Sequence, residues 1–194
     1  MKPIILASQS PRRKQILEQF SLPFEPMSHR FDERSIPWSG ESHTYAKEIA
    51  KQKAMEVASR FPNRTILGAD TIVELDGELL TKPSDIEDAM KMISQLSGKQ
   101  HSVVTGVAII HNDHIFTDSD ETRVHIQPLT KDQIRNYLNV AVWHDKVGGW
   151  AIQGAGALLV ERLEGCYYNV IGLPVICLSK ILKKVEIDLW QYLQ

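Results

Sequence analysis

Two serines and two arginines stand together at Ser8-Gln9-Ser10-Pro11-Arg12-Arg13, where the apolar run Ile4-Ile5-Leu6-Ala7 gives way to a helical pattern. The unpaired N–H groups and the dipole of a helix N-terminus attract anions, and guanidinium groups add paired contacts to phosphate oxygens. Arginine is poorly placed at that end of a helix unless an anion is present. Adjacent helical residues diverge by roughly 100°, so Arg12 and Arg13 are not expected to share one task. Further on, Lys53 falls inside a small apolar helical stripe of Ala46, Ile49, Ala50, Ala54 and Val57. Asp70 interrupts a strand-like run, Ile66 to Val73, in which aspartate is disfavoured and needs a cation. Glu33 follows Phe31-Asp32 in a loop-like stretch, and Lys82-Pro83 ends another extended segment. Two carboxylates and several cations are what a hard divalent metal and a polyphosphate require: oxygen ligands for the metal, basic groups for the remaining charge.

Each of these residues also has an ordinary structural reading. Ser10 can be no more than an N-cap, with both arginines solvated. Lys53 can extend its methylene stem and place the ammonium in water. Asp70 can cap a turn at a strand end, and Glu33 can be one more exposed loop carboxylate. Strict alternation sends Asp70 and Thr71 to opposite faces of a sheet, so joint service at one site requires a strand end or a bend.

The elements that must position these groups alternate between strand and helix, which argues for an α/β fold. A short buried strand is expected at 4–7, then a helix at 11–20 with proline in its first turn. A second helix is expected at 45–60 and a strand at 65–75, turning at Asp76-Gly77. Ser84 is expected to cap a helix ending near Leu96. Segments 103–110 and 115–126 alternate around Asn112-Asp113, which predicts a long antiparallel hairpin. Thr130 caps a helix to about Val140, a glycine-rich stretch at 148–156 precedes a strand at 157–161, and Pro174 opens the last helix. The sheet is expected to be mixed.

Composition narrows the classes of function. A length of 194 residues predicts one domain over 1–194. Twenty-two basic and 24 acidic side chains leave a formal charge of -2, so no global field draws the chain to nucleic acid or to an anionic membrane. The N-terminus turns polar at Ser8, too early for a signal peptide, and no apolar run approaches the roughly 20 residues of a membrane span. Cys166 and Cys177 are too few for a disulfide framework, which points to a reducing cytoplasm. Neither a GxxxxGK[ST] loop nor a dinucleotide-binding glycine pattern is present, and no HExxH or Cys/His spacing suggests zinc.

The string Ile5-Leu6-Ala7-Ser8-Gln9-Ser10-Pro11-Arg12-Arg13 resembles the opening motif of the Maf family of nucleotide pyrophosphatases. Ala50-Lys51-Gln52-Lys53-Ala54, Gly68-Ala69-Asp70-Thr71, Thr81-Lys82-Pro83 and Ser97-Gly98-Lys99-Gln100-His101 are similar to further family elements, in order. Thr105-Gly106-Val107-Ala108, Glu121-Thr122, Ile152-Gln153-Gly154 and Asn169-Val170-Ile171-Gly172-Leu173-Pro174 continue the match across roughly residues 3 to 185. The resemblance implies an α/β fold like that of inosine triphosphate pyrophosphatases, with a mixed, strongly twisted sheet flanked by helices and two lobes around a central cleft. It implies hydrolysis of a nucleoside triphosphate to monophosphate and pyrophosphate, with Mg²⁺ or Mn²⁺ as cofactor, and a homodimer. By position, Asp70 matches the proton acceptor, Glu33 and Asp70 the metal carboxylates, and Ser8, Ser10, Arg13, Lys53 and Lys82 the phosphate cradle.

The branch of the family acting on thymidine and uridine triphosphates is similar to this chain in carrying Arg12, Thr71 and Gln153. A second branch, preferring 7-methylguanosine triphosphate, has tryptophan, glutamine and glutamate there, which suit a large cationic purine. Gln153 offers a donor and an acceptor to the imide edge of uracil or thymine. The pyrimidine nucleotides dTTP and UTP, or modified forms of them, are therefore the expected substrates. Val147, Trp150 and Ala151 depart from the alanine, tyrosine and glycine more frequent in that branch, and Thr81 replaces a frequent glycine. Trp150 can simply fill core, and Lys99 and His101 can be structural or can help with phosphate. The alternatives are the same chemistry on a methylated guanosine nucleotide, or a nucleotide-binding regulator of cell division in which hydrolysis is incidental.

Overall fold

The computed structural model describes residues 2–193. Its seven strands form one sheet: β1 (Ile4–Leu6), β2 (Phe24–Pro26), β3 (Ile66–Leu75), β4 (Glu78–Leu80), β5 (Gln100–His111), β6 (His114–Ile126) and β7 (Val160–Glu164). The order is β2-β1-β3-β5-β6-β7, with β4 also pairing to β3. β1 runs parallel to β2 and β3, and the remaining pairings are antiparallel, so the sheet is mixed as expected. The β5–β6 hairpin closes through Asn112 and Asp113 at φ 46° and 64°, the left-handed pair that a two-residue turn needs to match the twist of its strands.

The helices are α1 (Pro11–Glu18), α2 (Ser42–Arg60), α3 (Ile86–Leu96), α4 (Lys131–Val140), α5 (Tyr167–Ile171) and α6 (Val175–Lys183). They divide unequally over the two faces of the sheet. One face carries α2, whose buried stripe of Ala46, Ala50, Ala54 and Val57 packs on Ile5, Ile66, Ile72 and Ala108. The approach is close because glycines stand beneath it. A Cβ at Gly68 would lie 2.2 Å from the Ala50 carbonyl oxygen, and one at Gly106 would lie 2.3 Å from that of Ala46. The larger core occupies the other face, where Leu67, Val73, Val107 and Ile109 meet Ile16, Ile93, Ile134, Leu178 and Leu182 from the remaining long helices.

One edge of β3 decides where a site can form. β5 pairs along β3 from Ile66 to Glu74, but on the opposite edge β1 reaches only Ile66 and Leu67, and β4 begins at Val73. Between them, residues 68–72 have no strand partner on that edge among the described residues.

Several expectations need correction. The cap of α3 is Asp85, whose carboxylate accepts from the Asp88 N–H; Ser84 lies one residue outside and gives its own N–H to Asp88. An aspartate at the cap also leaves a carboxylate at the positive end of the helix dipole. α2 begins at Ser42, three residues earlier than expected, and α1 ends at Glu18. The seventh strand starts at Val160 and not at Ala157, because Gly154–Leu158 forms a 3-10 turn. In that turn Gly156 lies so close to the Ala151 carbonyl that a Cβ would overlap it. The cap of α4 is as expected: Thr130 and Gln133 form a reciprocal capping box. Both cysteines are free, and no helix among the described residues is long and apolar enough to cross a membrane.

Candidate active site

A cleft of about 370 Å³ opens at the unpartnered edge of β3. It is lined by the β1–α1 turn from Ser8 to Arg13, by His29, Glu33, Lys53, Asp70 and Thr71, and by Lys82, residues 145–147 and 150–153, Val170 and Ile171. All the residues expected from sequence to bind substrate or metal line it: Ser8, Ser10, Arg12, Arg13, Glu33, Lys53, Asp70, Thr71, Lys82 and Gln153. The objection from strand alternation is met by the gap and not by a bend. Asp70 and Thr71 do point to opposite faces, but the sheet ends between β1 and β4 at their level, so a cleft at that edge receives both.

At the floor, Lys53 is 5% exposed and does not snorkel. Its Nζ lies 2.6 Å from Asp70 Oδ1 and 2.7 Å from Glu33 Oε1, so one ammonium stands between two carboxylates. The cause is the glycine-backed contact described above: α2 comes near enough to β3 for a lysine to reach sideways to the strand. Partial burial pushes the Glu33 carboxyl up, but Lys53, by charge and by hydrogen bond, holds it below its ordinary range. Asp70 itself is 7% exposed.

Arg13 is fixed from three directions. Its Nε donates to the Gly172 carbonyl at 2.8 Å, Nη1 to Ser8 Oγ at 3.1 Å and Nη2 to Thr71 Oγ1 at 3.1 Å. Burial lowers its pKa, opposed by the nearby Asp70 charge, and a guanidinium remains protonated in any case. Arg12 diverges from it as helical geometry requires and interacts with Asp145 across the cleft. The Asp145 carboxyl, pushed up by burial, is nevertheless held down by its bond to Lys146 and by the charges of Lys146 and Arg12. Ser10 makes no side-chain cap bond, so capping does not account for it; its N–H donates to Ser8 Oγ at 3.2 Å.

The lining is mixed in chemistry. Serines, arginines, lysines and carboxylates crowd the β1–α1 turn and the floor. Val103, Val147, Trp150, Ile152 and Ile171 add apolar surface, and Gln153 follows Trp150 and Ile152 in the lining. Trp150 is 5% exposed and meets His101 edge to face, with ring centres 5.1 Å apart. Lys99 lies outside the cleft, paired with exposed Asp76 at 3.0 Å, and His101 is buried behind Trp150.

Three titratable cleft residues, His29, Asp145 and Lys146, were not singled out from sequence as site residues. His29 stands in a loop with no spacing to mark it; burial and the Lys53 charge lower its pKa. Asp145 and Lys146 adjoin the glycine-rich stretch, a signal that was available. Among the described residues no group of three or more His, Cys, Asp or Glu side chains could hold a metal ion. Glu33 and Asp70 nevertheless bring oxygen donors to the same ammonium, that of Lys53, and each has a second carboxylate oxygen outside those two contacts. That set fits a hard divalent cation taking its remaining ligands from phosphate and water.

The model of the Maf-like protein family matches residues 3–185. A dTTP/UTP pyrophosphatase of Pyrococcus furiosus is 48% identical over 94% of this chain and 95% of its own. One from Clostridium perfringens is 44% identical over 96% of this chain and 98% of its own. A solved structure of the Staphylococcus aureus Ham1 protein is 14% identical, covering 63% of this chain and 71% of that one at a TM-score of 0.42.

Proposed function

The chain belongs to the family of Maf-like proteins, and from that premise we propose that it hydrolyses dTTP and UTP to the monophosphate and pyrophosphate as one domain over 1–194. The observation that carries the reading is the Lys53 ammonium held 2.6 and 2.7 Å from Asp70 and Glu33, on the floor of a cleft whose rim is the Ser8–Arg13 turn. Cations and carboxylates at one point suit a polyphosphate with its counter-ion, and the apolar surface in the lining suits a base. The names of the relatives supply the substrates.

The phosphate chain lies along the β1–α1 turn. Ser8, Ser10, Arg13, Lys53 and Lys82 contact its oxygens. Arg13 has five N–H donors, of which three go to Gly172, Ser8 and Thr71. Two remain for phosphate, one on each terminal nitrogen. Asp70 binds Lys53 through Oδ1, which leaves Oδ2 to orient a water and take its proton as the oxygen attacks the α-phosphorus. The bond from the α-phosphorus to the bridging oxygen breaks, and pyrophosphate leaves with the electron pair. Lys53 and Lys82 stabilise charge gathering on the leaving oxygens, while the fixed Arg13 guanidinium holds the phosphate chain in place throughout. A divalent cation, held by Glu33 and Asp70, would neutralise phosphate charge when bound. Gln153 pairs with the imide edge of the pyrimidine, while Arg12 and Thr71, beside the phosphate site, shape the approach.

Clearing modified pyrimidine nucleotides is the proposed cellular use, in a reducing compartment that suits two free cysteines. A homodimer is the proposed assembly. The deciding experiment is a screen for pyrophosphate release across canonical and modified triphosphates, with and without Mg²⁺ or Mn²⁺. Release from dTTP and UTP that depends on the metal is expected; none from either nucleotide under any metal condition overturns the reading.

A further inference from the structure

Beneath the cleft lies a polar chain that the reaction itself does not use. Asn169, in α5, is fully buried, as are Thr105 of β5 and Thr122 of β6. The Asn169 Oδ1 accepts from the Thr105 N–H at 3.1 Å, and its Nδ2 donates to the Val103 carbonyl at 2.8 Å and to Thr122 Oγ1 at 3.0 Å. An amide oxygen facing an N–H, with both amide hydrogens facing oxygens, fixes which way the side chain points. Its backbone carbonyl is used too, accepting from Thr105 Oγ1 at 2.8 Å.

That last bond sets a direction for all that follows. A threonine hydroxyl has one proton, and Thr105 gives its proton to Asn169. The 2.9 Å contact between Thr105 Oγ1 and Thr71 Oγ1 must therefore be donated by Thr71. Having given its own proton inward, Thr71 faces the cleft as an acceptor only, and what it accepts is Arg13 Nη2. The same short helix grips Arg13 a second time, through the Gly172 carbonyl on Nε. Gly172, at φ 116°, closes α5 where a Cβ would lie 3.1 Å from Thr71 Oγ1.

We propose that Asn169 is a positioning residue for Arg13, acting through the one-way relay Thr71 to Thr105 to Asn169, and that Thr71 influences substrate through Arg13 and not by donating a hydrogen bond to the nucleotide. The proposal rests on the reading of Arg13 as a phosphate contact. A buried amide with every polar atom engaged is costly to place in a core, and a plain packing role would be filled as well by leucine. Here the amide holds Val103 and Thr105 of β5 at once, and so seats the Thr105 hydroxyl, bound to the Asn169 backbone carbonyl, that orients Thr71.

Replacing Asn169 directly risks the fold, so the test is placed one step along. Thr105→Val keeps the shape and removes the hydroxyl, Thr105→Ser restores it, and Thr122→Val removes a partner of the Asn169 amide and of Cys166 at the start of α5 while leaving the Thr71–Thr105 hydroxyl pair in place. With dTTP as substrate, Thr105→Val is expected to raise KM about tenfold while kcat stays within about threefold, as for loss of one oriented charged hydrogen bond to bound phosphate. Thr105→Ser and Thr122→Val are expected to stay near the parent. The second readout needs no turnover: hydrogen exchange of the Arg13 Nε–H, followed by NMR, is expected to quicken about tenfold in Thr105→Val alone. Unchanged exchange in Thr105→Val, or a Thr122→Val that matches it in KM and exchange, overturns the relay. If the parent releases no pyrophosphate, the functional reading fails by itself, and the exchange rates still decide whether Arg13 is held in this way.

Discussion

Lys53 and Asp70, seventeen residues apart, meet at 2.6 Å with both side chains almost wholly removed from water. A buried ion pair loses hydration on both sides, and removing one partner strands the other. Lys53→Ala leaves Asp70 and Glu33 facing each other without the ammonium, and is expected to destabilise by about 3 to 5 kcal/mol in urea unfolding. Adding Asp70→Asn should recover part of that loss, because one of the two repelling charges is gone. A double-mutant cycle with a coupling energy near zero would show that the pair seen here is not an energetic unit.

The same aspartate carries the proposed chemistry. Asp70→Asn keeps an oxygen that can accept from Lys53 but cannot take a proton from water, so fold and nucleotide affinity should survive while turnover does not. A fall in kcat of at least about a thousandfold is expected, with KM within about threefold. Comparable turnover by the variant, measured as pyrophosphate released from UTP, would remove Asp70 from the role of base.

The close seat of α2 makes a prediction about glycine. Gly68→Ala or Gly106→Ala would drive a methyl group into the carbonyl of Ala50 or Ala46 at little over 2 Å. The obstacle is backbone, so the helix must move and take Lys53 with it. A loss of about 2 to 3 kcal/mol is expected, the upper part of the range for overpacking. Activity should fall further than stability explains, even at temperatures where the variant is fully folded. Parent-like activity in either variant would mean that the helix position does not control the site.

Part of this arrangement was legible in the chain and part was not. The stripe of Ala46, Ala50 and Ala54 around Lys53 is a periodicity signal, local to one helix, and it predicted both the buried face and the lysine within it. Asn112-Asp113 predicted the hairpin because turn chemistry is local as well. The convergence of Asp70 with Thr71 was not readable, since it depends on where β1 stops and β4 starts along β3, which is a property of the whole sheet. Asn169 opens one of the matched family elements, but its contacts were equally hidden, since its partners Val103, Thr105 and Thr122 lie more than forty positions away. The late start of β7 was missed because Gly156 is needed against Ala151, a contact that composition does not reveal.

Base preference should be set at Gln153, which lines the cleft together with Trp150 and Ile152. Gln153→Glu removes the amide donor and adds a negative charge beside a neutral pyrimidine, while the phosphate contacts are untouched. The expected result is a fall of about ten- to a hundredfold in kcat/KM for UTP and dTTP, the range for leaving a polar edge mismatched, with a smaller loss for 7-methylguanosine triphosphate. Equal losses on all three nucleotides would mean that Gln153 does not read the base.

His101 gives a prediction in pH. It is 3% exposed, and neither ring nitrogen has a hydrogen-bond partner among the described residues. Burial, with His125 adding to it, lowers its pKa from 6.5 to about 4. The folded protein therefore holds the ring neutral while the unfolded chain takes up a proton near pH 6.5. Between those values the unfolded state binds more protons, so stability falls as pH drops from about 6.5 and levels off below about 4. The contribution amounts to roughly 3 kcal/mol across the window. His101→Leu removes it: at pH 7.5 an apolar side chain should cost little, because no hydrogen bond is lost. At pH 5 the variant should be the more stable protein. Parallel stability curves for parent and His101→Leu between pH 4.5 and 7.5, from denaturant unfolding at each pH, would show that His101 is not the neutral buried imidazole described.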